Sequence, residues 1–89
     1  MGIFPQKKER VVVTVTVRTL RDVAGVVRAA REDAGLSQGE LAERLDFSRD
    51  YMVDLESGRG SLYATRLLRT LHELGITVTL TYREGDAES

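Results

Sequence analysis

Apolar and polar positions alternate in two short segments, one near each end of the chain. Residues 11–17 read VVVTVTV and residues 76–82 read ITVTLTY. In an extended chain alternate residues share a face, so each segment has one apolar face and one face that is mostly threonine. The pattern predicts two β-strands. A lone two-stranded ribbon is marginal in water, so we expect helices or a second copy of the chain to cover its apolar face.

Between these strands the apolar residues recur with the period of a helix. Thr19 is a favourable N-cap for a first helix, and Gly35 and Gly75 are placed to end the first and the last helix. We therefore expect a mainly α-helical domain with a short strand at each end. The apolar positions that define the two longer helices are Leu20, Val23, Ala24, Val27, Ala30 and Ala34 in the first and Ala64, Leu67, Leu68, Leu71 and Leu74 in the last.

Two shorter helices are predicted in the middle of the chain. Ser37 and Glu40 form an S-x-x-E capping box that starts the first of them. A turn at Asp46 leads to Ser48, which caps the second, and this helix should run to about Ser57. Two helices joined by a tight turn can present the second helix to a DNA groove. The same spacing also fits a small helical bundle with no nucleic-acid role.

The apolar residues of these short helices predict how the two pack together. Ala42 is small enough to let the helices approach closely, and we expect Leu45, Met52 and Leu55 to be buried between them. The helix period then leaves four side chains of the second short helix pointing outward, namely Arg49, Asp50, Val53 and Asp54.

The composition limits the chemistry open to these 89 residues. The chain has no cysteine and one histidine, His72, which excludes disulfides, a thiol nucleophile and cysteine- or histidine-rich metal sites. No paired carboxylates and no nucleophile with a nearby base stand out, so we expect a protein that is not an enzyme and binds no metal or cofactor. No apolar run approaches the ~18 residues of a membrane span, and no signal-peptide core is present, so we expect a cytoplasmic protein.

Charge is unevenly distributed along the chain, although the formal net charge is only −1. Residues 1–18 hold four basic residues against one acidic residue, and residues 83–89 hold three acidic residues against one basic residue. We expect a flexible basic arm over residues 1–10, a single domain over 11–82 and an acidic tail over 83–89.

The central segment LSQGELAERLDFSRDYMVDLESGRG, residues 36–60, resembles the helix-turn-helix of the lambda and 434 repressor family, the xenobiotic-response-element type. The resemblance implies a lambda-repressor-like domain of four to five helices with the motif at 37–57. The two strands at opposite ends of the chain suggest that they pair with each other or across a dimer, and the pattern leaves open whether they pair within or between chains. The residues that carry the resemblance to the repressor family are Leu36, Ser37, Gln38, Leu41, Ala42, Leu45, Ser48, Leu55, Glu56 and Gly58.

The resemblance implies roles for individual residues at a DNA surface. Gln38 falls where the family bonds a phosphate and braces the recognition helix, and Ser37 and Ser48 fall on phosphate-contacting caps. Arg49 falls on the first base-reading position, and arginine suits the guanine O6 and N7 acceptors. Arg59 falls on a basic loop that holds a phosphate.

Two positions, Val53 and Asp54, depart from the usual family pattern. Val53 stands where the family has a polar or basic residue, and it could contact a thymine methyl group. Asp50 could accept a hydrogen bond from cytosine N4. Asp54 has no comfortable partner near phosphates. For both aspartates a surface ion pair with Arg49 or Arg59 in the free protein competes with a base-reading role.

The family also implies a structural ion pair. Arg31 stands four residues before Gly35 and matches an arginine that pairs with the glutamate at Glu56. In the family this pair joins the first helix to the third, so we expect it to be largely buried.

The continuation SLYATRLLRTLHELGITVTL, residues 61–80, resembles antitoxins of the HipB type, because a strand follows the last helix directly. This implies a homodimeric repressor of double-stranded operator DNA that is the autoregulating antitoxin of a type II toxin–antitoxin pair. A HipA-like kinase is the implied toxin. Two alternatives stay open: an interaction module that neutralises a toxin with weak or no DNA binding, and a free-standing small repressor.

Overall fold

The computed structural model describes residues 11–84 of the chain. This part contains four helices and an antiparallel pair of strands, so the prediction of a mainly helical domain with a strand at each end is confirmed. The expected basic arm at 1–10 lies outside the described residues, as do residues 85–89 of the expected tail. The elements are β1 (Val11–Val17), α1 (Leu20–Asp33), α2 (Gln38–Leu45), α3 (Arg49–Glu56), α4 (Leu62–Glu73) and β2 (Val78–Glu84).

The two strands pair with each other within one chain. The antiparallel register runs from Val11 opposite Glu84 to Val17 opposite Val78. Because side chains alternate along a strand, this register puts Val13, Val15 and Val17 on the same face as the apolar residues of β2, whereas Val12 lies on the other face, opposite Arg83. Helix α1 packs against both strands, and Val17 is 3% exposed. The chain therefore supplies its own helix layer for the ribbon.

Strand β2 begins two residues later than the alternation predicted and also ends two residues later. The reason lies in the end of α4, where Gly75 adopts a left-handed φ of 75°. The Ile76 N–H donates to the carbonyl of Leu71 at 2.9 Å, so Ile76 belongs to the helix-ending turn. As a result Arg83 and Glu84, which were expected in the acidic tail, lie in β2.

Serine and threonine N-caps start all four helices. Thr19 and Ser37 form reciprocal capping boxes, with Asp22 and Glu40 respectively. Ser48 accepts from the Tyr51 N–H at 3.0 Å and caps α3. These local bonds fix where each helix begins, which is why the helix starts follow the sequence pattern so closely.

The core is small: of the three residues expected to be buried between α2 and α3, Met52 is buried, Leu55 is half-buried and Leu45 is exposed. The residues least exposed are Val17, Ala24, Ala42 and Met52. The prediction that Leu45 is buried is wrong, because its side chain is 48% exposed. Helix α2 ends at Leu45, and the next residue turns the chain, so this side chain lies at the margin of the contact between α2 and α3.

Candidate nucleic-acid interface

A buried ion pair joins α1 to α3 behind the candidate interface. Arg31 Nε donates to Glu56 Oε2 at 2.6 Å, and Arg31 Nη2 donates to Glu56 Oε1 at 3.0 Å. The two side chains are only 9% and 3% exposed. This bidentate geometry is the strongest that arginine makes with a carboxylate, and it fixes the relative orientation of the two helices.

Two further hydrogen bonds tie α2 into the same network. Gln38 Nε2 donates to Glu56 Oε1 at 3.1 Å, and Arg31 Nη1 donates to the carbonyl of Leu36 at 2.6 Å. The hydrogen bonds from Arg31, with a smaller contribution from Gln38, hold the pKa of Glu56 below its ordinary value despite burial. Helices α1, α2 and α3 are therefore locked together around one carboxylate.

The first turns of α2 and α3 come together at one end of this unit. Ser37 Oγ accepts from the Glu40 N–H at 3.0 Å, and Glu40 accepts in return from the Ser37 N–H at 2.7 Å. A Cβ placed on Gly39 would lie 3.7 Å from Arg49 Cδ and 3.9 Å from Ser37 Oγ. The exposed Arg49 side chain therefore lies against Gly39, in the first turn of α2. Free helix N–H groups and an arginine together favour an anion at this point.

The outward face of α3 carries acids as well as bases. Asp50 and Asp54, one helical turn apart, are exposed, and Val53 is 39% exposed. Asp54 Oδ1 accepts from Arg59 Nη2 at 3.3 Å, with both side chains more than half exposed. Arg49 and Arg59 were both possible ion-pair partners of Asp54, and Arg59 is the one that forms the pair. Exposed pairs of this kind are weak, so Arg59 can exchange it for a phosphate.

The loop after α3 holds Arg59 between two glycines that pack on the start of α1. Gly58 has a left-handed φ of 83°, and a Cβ there would come within 3.1 Å of the Arg21 backbone. A Cβ at Gly60 would overlap the Leu20 side chain. Only glycine permits this close approach, and it brings Arg59 beside the C-terminal half of α3.

One aromatic pair at this surface was not singled out from the sequence. The rings of Phe47 and Tyr51 meet edge to face, with centroids 5.0 Å apart, and the side chains are 44% and 53% exposed. The pair flanks the Ser48 cap at the entrance to α3. Their four-residue separation is the signal in the sequence, although Phe47 lies in the turn before α3 and not in the helix.

Within residues 11–84, no group of three or more histidine, cysteine, aspartate or glutamate side chains is arranged to hold a metal ion. No helix in the same range is long and apolar enough to span a bilayer.

Comparison with known proteins identifies the α2–turn–α3 unit. Residues 22–81, well over half of the chain, match the helix-turn-helix domain family. The chain belongs to the helix-turn-helix family. This helix-turn-helix domain is also similar to the uncharacterized HTH-type transcriptional regulator y4mF of Sinorhizobium fredii. The two are 30% identical over 64 residues, which covers 72% of this chain and 84% of the relative. No solved structure matches the chain significantly.

In this helix-turn-helix domain α2 and α3 are the two helices joined by the tight turn, and α3 is the candidate recognition helix. The network of Arg31, Gln38 and Glu56 joins α1, α2 and α3 through side chains that are at least half-buried, whereas the outward residues of α3 are exposed. Arg49 lies near Gly39 in the first turn of α2, whereas Arg59 pairs with Asp54 at a second point. The candidate interface therefore has two separate cationic positions, Arg49 near the start of α2 and Arg59 beside Asp54 of α3.

Proposed function

We propose that this protein is a sequence-specific DNA-binding transcriptional repressor. The observation that carries the proposal is the rigid mounting of α3, whose outward side chains are all exposed while Glu56 anchors its C-terminal end from behind. A recognition helix needs this combination, because base readout requires side chains held in a fixed register. The similarity to a protein named as a transcriptional regulator supports the same function.

The proposed contacts divide into phosphate and base contacts. Ser37, Gln38 and Ser48, at the starts of α2 and α3, contact the DNA backbone together with the first-turn N–H groups. Arg59 leaves Asp54 and binds a phosphate on the other side of the recognition helix. Backbone contacts of this kind set the position of α3 in the groove.

Base reading is assigned to the first two turns of α3. Arg49 donates to a guanine edge, Asp50 accepts from a cytosine amino group, and Val53 contacts a thymine methyl group. The aromatic pair of Phe47 and Tyr51 adds apolar surface at the edge of the groove. The negative charges of Asp50 and Asp54 counteract the positive charges of Arg49 and Arg59. We therefore expect weak non-specific DNA binding and a high ratio of specific to non-specific affinity.

The test is binding to the DNA upstream of the protein's own gene. Fluorescence anisotropy should show tighter binding to this promoter than to a scrambled duplex of equal length, and footprinting should show a site with two-fold symmetry. A dimer would place two recognition helices about one DNA turn, ~34 Å, apart. Equal affinity for promoter and scrambled DNA, or no binding at low salt, would contradict the repressor function.

A finer proposal is that the repressor is the antitoxin of a type II toxin–antitoxin pair. It is supported by the position of β2, which follows α4 after a short glycine turn and pairs with β1, where a fifth helix would be expected in other repressors of the family. The proposed partner is a HipA-like kinase encoded by an adjacent gene.

We expect the protein to act in the cytoplasm, as a binding protein without a cofactor and not as an enzyme.

Co-expression with the neighbouring gene product tests the antitoxin proposal. The two proteins should co-elute in size exclusion, and the antitoxin should restore growth to cells that express the toxin. Separate elution without growth rescue would leave a free-standing small repressor. Co-elution and rescue by a protein that fails the promoter assay would instead identify an interaction module without DNA binding.

A further inference from the structure

Helix α4 has little support within its own chain. None of its 12 residues is buried by the other described residues, and its packing in the fold is mainly against α1. An isolated helix of this length is marginal in water, so most of its stability must come from tertiary contacts. Its amphipathic pattern indicates where such contacts are missing.

An apolar stripe runs along the unsupported side of α4. Leu68 and Leu71 are partly covered and lie on the side of α4 near the end of β1 and the start of β2. Tyr63, Leu67 and Leu74 are 76%, 46% and 69% exposed. With the exposed Thr70 between them, they follow the i, i+4, i+7, i+11 spacing that lines up one face of a helix. We call residues 63, 67, 70 and 74 the α4 stripe.

One basic and one acidic side chain lie beside the α4 stripe, and their spacing restricts the orientation in which a partner helix can pack on it. Arg66 and Glu73 are exposed and occupy the same flank, seven residues and about 10 Å apart along the axis. No ion pair to either side chain occurs among the described residues. In an antiparallel pair of α4 helices, Arg66 of each copy would come beside Glu73 of the other. In a parallel pair, Arg66 would lie level with Arg66 and out of reach of Glu73.

We propose that two copies of the chain pair through α4 in antiparallel orientation, with the α4 stripes packed together and two Arg66–Glu73 ion pairs across the interface. The two-fold axis passes between Leu68 and Arg69, which sets Tyr63 opposite Leu74 and Leu67 opposite Thr70 of the other copy. This inference rests on the proposed DNA-binding function only in that the dimer presents two recognition helices. The pairing itself does not require DNA.

Charge reversal tests the pairing on the intact chain in the absence of DNA, with mass measured by sedimentation equilibrium. Arg66→Glu and Glu73→Arg should each weaken the dimer about ten-fold, because each change places like charges together at two symmetric points. The double variant should recover the parent affinity to within about three-fold, since both pairs are restored with exchanged signs. Arg44→Glu, on α2, is the matched control with the same change in net charge and should leave the mass unchanged.

A second variant tests the α4 stripe apart from the ion pairs. Leu74→Glu should give a monomer whose circular dichroism and melting match a folded chain, because this side chain is exposed in the single copy. A parent protein that stays monomeric at its highest soluble concentration overturns the proposal, and so does a double charge reversal that fails to recover the dimer. A dimer that responds as expected but does not bind its promoter would leave the interface intact and remove only the proposed function.

Discussion

At the scale of single residues, Glu56 is the group on which the motif depends most. Its two carboxylate oxygens accept three hydrogen bonds, two from Arg31 and one from Gln38. Burying an ionised carboxylate is unfavourable unless it is paired and fully hydrogen-bonded, and here both conditions hold. The consequence is that loss of either ionic partner leaves an uncompensated charge in the interior.

Arg31→Ala should therefore destabilise the protein by about 3–5 kcal/mol, measured by urea unfolding. The double change Arg31→Met with Glu56→Leu should recover much of this loss, because it removes both charges and fills similar volume. If Arg31→Ala unfolds at the same urea concentration as the parent, the pair makes no contribution and the structural role assigned to it is wrong.

The same carboxylate predicts a loss of stability in acid. The folded-state pKa of Glu56 lies below its ordinary value of 4.5 because Arg31 bonds the ionised form. Its contribution is thus fully present above pH 4.5 and is lost as the pH falls through the lower, folded-state pKa. The free energy of unfolding should fall less steeply below pH 4.5 in Glu56→Gln than in the parent. The capping acids Asp22 and Glu40, whose pKa values are also lowered, remain in both proteins and provide the common background.

Residues on the surface of α3 should separate specific from general DNA binding. Arg49→Ala should weaken promoter binding by about 1–3 kcal/mol and relax the preference at one base position. Asp54→Asn should instead tighten binding to any sequence, since it removes a negative charge near phosphates and releases Arg59. Glu43→Gln, which makes the same change in net charge on α2, should have the smaller effect. Equal effects of the two neutralising changes would show that only net charge matters.

At the scale of elements, the turn between α2 and α3 decides how the recognition helix is presented. Asp46 ends α2 with a left-handed φ of 62°, and the Phe47 N–H then donates to the Ala42 carbonyl at 2.8 Å. Aspartate tolerates this conformation better than most residues, whereas β-branched residues do not. The angle between the two helices therefore depends on one backbone conformation.

Two substitutions at this turn should have opposite effects. Asp46→Gly should raise the stability slightly, by up to about 1 kcal/mol, because glycine adopts the left-handed conformation without a steric penalty. Asp46→Val should lower the stability by about 1–2 kcal/mol and weaken promoter binding. Thermal unfolding and anisotropy measure both effects. A stable Asp46→Val variant with unchanged DNA binding would show that the turn has an alternative conformation.

At the scale of the whole molecule, the ribbon joins the two ends of the domain. Val17 pairs with Val78, and α1 packs on both strands, so β1 depends on a strand that lies more than sixty residues later. The helix-turn-helix motif is attached to this ribbon through α1. Truncation at one end of the domain should therefore destabilise the strand at the other end.

A chain that stops after Gly75 should lose the order of β1 as well as β2. Hydrogen exchange should show loss of protection at the amides of residues 11–17, while the amides of α2 and α3 keep part of theirs. The melting temperature should also fall. Protection of β1 that survives the truncation would show that this strand has another partner, such as the same strand in a second copy.

Local signals in the sequence were sufficient for most of the secondary structure. Alternation predicted β1 at its observed bounds, and Thr19, Ser37 and Ser48 predicted the starts of three helices. These signals act between residues at most four positions apart, so they need no knowledge of the fold. The exposure of Arg49, Asp50, Val53 and Asp54 followed in the same way from the period of α3 and the position of its apolar residues.

Features that depend on docking were decided only by the tertiary structure. Leu45 fits the apolar face of α2 but is exposed, because α2 ends there and the chain turns away. Asp54 could have paired with either arginine, and the glycines that seat the loop on α1 place Arg59 beside it. The shift of β2 by two residues depends on the turn at Gly75 and on the register with β1. The sequence indicates which residues favour burial or an ion pair. The buried space and the partner side chain, however, form only when elements distant in the sequence pack together.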